Sequence, residues 1–157
     1  MTTESKKLPK RDEIPVEKTW DLTTIYKSDE EWEAAYKAAA EKEKAVQAYE
    51  GTLGDGADAF LEAIEAMFDA SRTVSKVYTY AHLKSDQDTG NNTYQAMSNR
   101  AISLITNAQA ASSWFEPQLL ELSEEQLEGY FEENKDLEVY RHHIENITAN
   151  RGHVLSA

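Results

Sequence analysis

Apolar residues recur along most of this chain at spacings of three and four, the period of an amphipathic helix. The longest stripe is Phe60, Ile64, Met67, Ser71, Val74, Tyr78 and Ala81. It has the a/d pattern of a helix that packs along one seam and predicts a helix over 57–85. A second stripe of Tyr94, Met97, Ala101, Leu104, Ala108, Ala111 and Phe115 predicts a helix over 92–115. Pro117 limits it, because the residue before a proline avoids helical geometry. Between them, Ser85-Asp86-Gln87-Asp88-Thr89-Gly90-Asn91-Asn92 is rich in turn formers and reads as a loop. These two helices form an antiparallel spine, with Leu104 and Ala108 set to face Phe60, Ile64 and Met67.

Upstream, Ser28 and Glu31 have capping-box spacing. They open a helix whose face carries Trp32, Ala35, Tyr36, Ala39, Val46 and Tyr49, ending at Gly51. Glu43 is assigned to its solvated side, so Glu43→Ala is expected to change stability by no more than about 0.5 kcal/mol. Trp20, Leu22, Ile25 and Tyr26 predict an ordered arm over 17–27, packed on that first helix. Residues 1–16, with Pro9 and Pro15, read as a flexible, extended lead-in. Downstream, Ser123 and Gln126 form a second capping box before a short helix carrying Leu127, Tyr130 and Phe131. A last helix over 135–150 places Leu137, Tyr140, Ile144 and Ile147 on one face. No segment alternates with the period of a strand. The expected class is all-α: an antiparallel bundle of about four to five helices with an extended N-terminal arm, the helical domain spanning 17–157.

Composition changes this picture mainly by exclusion. The 157 residues, 40% of them hydrophobic, suffice for one folded domain. Cysteine is absent, which removes disulfides, thiolate catalysis and Cys-ligated zinc. The net charge of −13 opposes phosphate backbones and anionic lipid heads, so neither nucleic acid nor a membrane is an expected partner. Without an apolar signal region near the N-terminus or a membrane-length apolar run, the expected location is the cytoplasm.

Candidate chemistry is sparse. His142 and His143 lie near Glu138 and Asn146 at helical spacing, but His-Glu-x-x-His occurs nowhere, so these residues read as solvated helix surface. Asp86, Asp88, Asn91 and Asn92 resemble a calcium loop. Counted from Asp86, however, Asn91 stands where such a loop needs Gly and Met97 where it needs Glu. His82 reads as a structural histidine, and His153 has no assignable partner. Tyr78, Tyr80 and Tyr94 either line a peptide groove or belong to the core. Neither a Gly-rich phosphate loop nor a nucleophile elbow is present.

Several segments resemble the N-terminal region of the oligoendopeptidase F family, bacterial cytoplasmic peptidases of the thimet-oligopeptidase-like zinc metallopeptidase group. They are Leu8-Pro9-Lys10-Arg11 through Ile14-Pro15, then Thr19-Trp20-Asp21-Leu22 with Ile25-Tyr26, and Tyr78-Thr79-Tyr80-Ala81-His82-Leu83 with Asp86, Asp88 and Tyr94. Ser113-Trp114-Phe115-Glu116-Pro117 follows, and then Tyr140, His143, Arg151 and His153-Val154-Leu155-Ser156. The resemblance implies a mostly helical enzyme in which two halves enclose a channel for short peptides, the N-terminal helices forming part of its wall. Zinc, held by a downstream His-Glu-x-x-His helix and a later Glu, would polarise the scissile carbonyl and its bound water. Tyr78, Tyr80 and Tyr94 are then candidate wall residues. The chain itself carries no catalytic residue and no metal ligand.

Ser156 after Leu155 has the character of an N-cap with no helix after it. The expectation is therefore the front piece of a longer protein whose missing partner is the catalytic domain. On that reading, Tyr140, Ile144, Ile147, Val154 and Leu155 form a bare apolar surface. The alternative is a free-standing acidic helical adaptor that binds a partner protein. A third option is a small metal-dependent hydrolase using His142, His143 and Glu138, which the missing zinc motif disfavours.

Overall fold

The computed structural model describes Pro9, residues 11–149 and Arg151. These contain six α-helices: α1 (Asp29–Val46), α2 (Ala57–Gln87), α3 (Asn92–Ala111), α4 (Phe115–Glu121), α5 (Glu124–Glu133) and α6 (Arg141–Thr148). Short 3-10 segments occupy Arg11–Glu13, Val16–Lys18, Leu22–Thr24, Gln47–Tyr49 and Lys135–Tyr140. The described residues contain no strand, and the class is all-α as the periodicity implies.

The α2–α3 hairpin is the spine. α2 runs two residues past the expected end at 85, with Asp86 and Gln87 in its last turn. The turn consumes the polar residues that resembled a calcium loop. Asn91 Oδ1 accepts from the Thr93 and Tyr94 amides at 3.0 and 3.3 Å and so caps α3, while Asp88 Oδ1 accepts from the Gly90 amide at 3.1 Å.

α3 is shorter than its stripe suggests. It stops at Ala111, where Ser112 and Ser113 donate their hydroxyls to the carbonyls of Ala108 and Ala110 at 3.0 and 2.9 Å. Such local side-chain bonds compete with helix propagation. Phe115 is therefore the first residue of α4, not the last of α3. Pro117 sits in the first turn of α4, where its missing N–H leaves no helical bond unmade.

Helix lengths then set the core. α2 has 31 residues and α3 has 20, so α2 outruns its partner by roughly 16 Å at 1.5 Å per residue. The antiparallel register places Tyr94 beside Lys84, and Leu104 near Val74 and Val77 rather than Phe60. Two apolar clusters result. Val74, Val77, Tyr80 and Ala81 pack with Trp32 and Ala39 of α1, with Met97, Ala101 and Leu104 of α3, and with Leu22 and Tyr26 of the arm. Phe60, Ala63, Ile64 and Ala70 pack instead with Phe115, Leu119, Leu127, Phe131, Leu137 and Ile144 of the C-terminal elements. The expected pairing of Phe60 and Ile64 with Leu104 is thus replaced by packing on α4–α6. Ser71, placed on the seam by the seven-residue repeat, is exposed. A straight helix drifts relative to that repeat, and Ala70 takes the inward position.

Three further expectations change. The last helix divides into a 3-10 segment, Lys135–Tyr140, and α6. Its apolar face points inward: Ile144 is 1% exposed, and Tyr140 stacks on Phe68 with ring centroids 5.3 Å apart. Val154 and Leu155 lie outside the described residues. Glu43, assigned to solvent, is only 9% exposed. In the arm, Leu22 and Tyr26 are buried, whereas Trp20, expected as an anchor, is 85% exposed.

Capping follows the sequence closely. Ser123 and Gln126 exchange both bonds of a capping box at 3.1 and 3.0 Å. Ser28 accepts from the Glu31 amide at 3.3 Å, but the Glu31 carboxylate takes the Lys27 amide at 2.6 Å instead of returning to Ser28. Only half of that box forms.

Candidate functional site

The densest polar cluster joins the arm, α1, α2 and α3. Tyr80 is buried in α2, and its hydroxyl donates to Asp29 Oδ1 at 2.9 Å. Lys84, one turn on, lies 3.4 Å from the same carboxylate and donates to the Tyr94 hydroxyl at 3.4 Å. Its ammonium also sits over the Tyr80 and Tyr94 rings, 5.4 and 4.9 Å from their centroids. Burial, then the bond to Asp29, pushes the Tyr80 hydroxyl up to about 12. Burial alone would lower the Lys84 ammonium, but the charges of Tyr80 and Asp29 and the Tyr94 hydroxyl hold it above its ordinary value. At neutral pH the cluster is a neutral phenol donor, a carboxylate and an ammonium. That suits locking the hairpin to the start of α1 and does not suit proton transfer near pH 7.

Of the three candidate tyrosines, Tyr80 and Tyr94 meet through Lys84. Tyr78 does not join them. Two residues along α2 is a rotation of about 200°, and Tyr78 instead stacks on His82 with centroids 5.2 Å apart. Asp29 and Lys84 complete the cluster and were not singled out in the sequence. The signal for Lys84 was its i, i+4 relation to Tyr80 across a hairpin that brings Tyr94 opposite.

Among the described residues, His82, His142 and His143 each have separate surroundings. His142 Nε2 lies 3.1 Å from the Asn146 side-chain nitrogen. Glu138 is bound in a two-pronged pair by Arg141 at 2.8 and 2.9 Å. The His143 ring meets the edge of Phe68 at 5.1 Å. His82 is exposed, 3.4 Å from Asp86. Among the described residues no group of three or more His, Asp or Glu side chains converges on a point that could hold a metal ion. The described residues do not fit a zinc centre. His153 lies outside the described residues.

Concave surface among the described residues includes a cleft, a cavity and a groove. A 590 Å³ cleft separates the arm from α2 and is lined by Trp20, Asp29, Tyr80 and Lys84. A 200 Å³ cavity lies between α1, α2 and α3, lined by Glu43, Val74, Ile105 and Ala108 among others. A 530 Å³ groove continues from it, sharing Met67, Gln109 and Ser112, and reaches Phe115, Pro117, His143 and Ile147. Glu43 carries no hydrogen bond in its cavity, and burial pushes its carboxyl up while the nearby Lys44 charge partly opposes this. The sequence signal was present: Glu43 falls four residues after Ala39 and three before Val46, on the apolar stripe itself.

Comparison with known proteins places this architecture. A family model described as Oligopeptidase F matches residues 118–157. The chain is 40% identical over 149 residues to oligopeptidase PepF of Bacillus subtilis, covering 95% of this chain and 22% of that protein. The chain is homologous to the N-terminal region of oligoendopeptidase F. Plasmid oligoendopeptidase F of Lactococcus lactis subsp. cremoris is 37% identical over 147 residues, covering 93% of this chain but 24% of the relative. The crystal structure of oligoendopeptidase-F from Enterococcus faecium superposes with a TM-score of 0.74 at 49% identity, over 82% of this chain and 26% of that one. The chain therefore spans about a quarter of the length of the oligoendopeptidase F relatives it matches. Three of the segments that resemble oligoendopeptidase F have definite places among the described residues. Thr19–Tyr26 is the arm, Tyr78–Leu83 is the part of α2 that meets it, and Ser113–Pro117 is the corner between α3 and α4.

Proposed function

We propose that this chain acts as the N-terminal helical part of an oligoendopeptidase F-type enzyme. In this reading it forms part of the wall of a channel for short peptides, and zinc-dependent hydrolysis belongs to residues outside this sequence. The observation that carries it is the homology: 40% identity along 95% of this chain but only 22% of the relative. The chain offers grooves and a locked helical frame, with no convergent metal ligands among its described residues. Zinc and the short peptides belong to the complete enzyme, and the cytoplasm is its proposed location. Trp20 and Val16, 85% and 83% exposed on the arm, are the proposed contacts to the remainder.

A chimera tests this. The corresponding quarter of the Enterococcus faecium enzyme is replaced by this chain, and a panel of short peptides is assayed. A wall role predicts that the chimera cleaves them with altered KM values and a kcat within a few-fold of the parent. If the parent kept its full peptide panel, KM and kcat after losing that quarter, the wall reading would be wrong.

A further inference from the structure

Glu43 is more than nine-tenths buried on the face of α1 that packs on α2 and α3, yet none of the described donors reaches its carboxylate. It lines a cavity of 200 Å³, larger than the engineered pocket of about 150 Å³ that is known to take up benzene. We propose that this cavity is a socket for the lysine side chain of a bound peptide, with the ammonium paired to Glu43. The four-carbon stem would lie along Met67, Ala70, Val74 and Ile105.

Three features favour that occupant. The walls are mainly apolar, which suits an alkyl stem and disfavours a fully hydrated ion. The fold already covers most of the Glu43 side chain, so part of the desolvation of its carboxylate is not charged to binding. The open groove beyond Met67, Gln109 and Ser112 gives the peptide backbone a path out of the cavity. An ammonium is a compact charge on a slim, flexible stem that a 200 Å³ cavity can take in, whereas the planar guanidinium is wider. The long-range field also helps, because the chain carries −13 and draws cationic peptides. The inference takes from the wall reading only the source of the side chain, a peptide.

The test uses the purified chain, with butylammonium, 1-butanol, and the tripeptides Ala-Lys-Ala, Ala-Arg-Ala and Ala-norleucine-Ala as probes. Binding is followed by amide chemical shifts. Butylammonium and the lysine peptide should bind saturably, moving resonances around Glu43, Val74 and Ile105, whereas the neutral isosteres should not. Glu43→Gln should weaken binding by about tenfold or more, the size of a lost charge-assisted bond. Ala108→Leu, which fills the cavity and keeps the carboxylate, should weaken it as well. Glu62→Gln, on the exposed side of α2, should not change it. Binding unchanged in both cavity variants, no saturable binding to the folded wild type, or arginine binding as tightly as lysine would each overturn the proposal. If butylammonium binds but the chimera above fails, the wall reading falls and the cavity assignment stands. The opposite pair of results removes the cavity assignment alone.

Discussion

A carboxylate on a mostly covered side chain with no donor beside it destabilises a fold, and in α1 that residue is Glu43. Burial raises its pKa in the folded chain above the unfolded value. Below the unfolded pKa the group is neutral in both states and carries no ionisation penalty. As pH rises through the carboxylate range, the unfolded chain releases its proton first, so Glu43 progressively reduces stability until its folded pKa is passed. The stability difference between Glu43→Gln and wild type should therefore be small in acid, widen with pH and then level off. Urea unfolding at a series of pH values measures this, and a difference that narrows with pH would contradict it. At Leu104, 2% exposed between α2 and α1, truncation to alanine should cost about 2–5 kcal/mol. Glu62→Ala on the exposed side of α2 should stay within about 0.5 kcal/mol. Matching urea curves for wild type and Leu104→Ala would refute the packing assignment.

At the scale of elements, the C-terminal helices depend on their caps more than on their length. The reciprocal Ser123–Gln126 box starts α5, a helix of only 10 residues. Ser123→Ala should cost about 1 kcal/mol. Ser28→Ala, where only half the box forms, should cost less, and the reverse order in thermal unfolding would contradict the cap geometry. These caps were legible in the sequence because a capping box is a local signal with fixed spacing. The hairpin was legible too, since both stripes have the right period. The end of α3 was not. Ser112 and Ser113 stop it by bonding to their own helix, and Phe115, at the right spacing for the stripe, belongs to α4 and packs in the other cluster. Glu43 was misplaced for a related reason: its charge argued for solvent while its position argued for the core.

For the molecule as a whole, the long α2 joins two apolar clusters that no single stripe revealed. Where Phe60 packs depends on the difference in length between α2 and α3, a tertiary fact. Tyr80 and Tyr94 stand out in the sequence by residue type, but their meeting through Lys84 does not. Asp29 and Lys84 emerge only when the arm folds against the hairpin. The sequence lacks the His-Glu-x-x-His zinc motif. The isolated chain should therefore hold no stoichiometric zinc after dialysis. Metal analysis that finds one zinc per chain, lost in a His142→Ala or His143→Ala variant, would show that a ligand set had been overlooked.

The most direct measurement mixes this chain with the separately folded remaining three-quarters of an oligoendopeptidase F relative, and follows cleavage of a short peptide. The account predicts that neither piece cleaves alone and that the mixture does, with amide exchange slowed around Val16 and Trp20. No association at high micromolar concentration, or full cleavage by the larger piece alone, would contradict it.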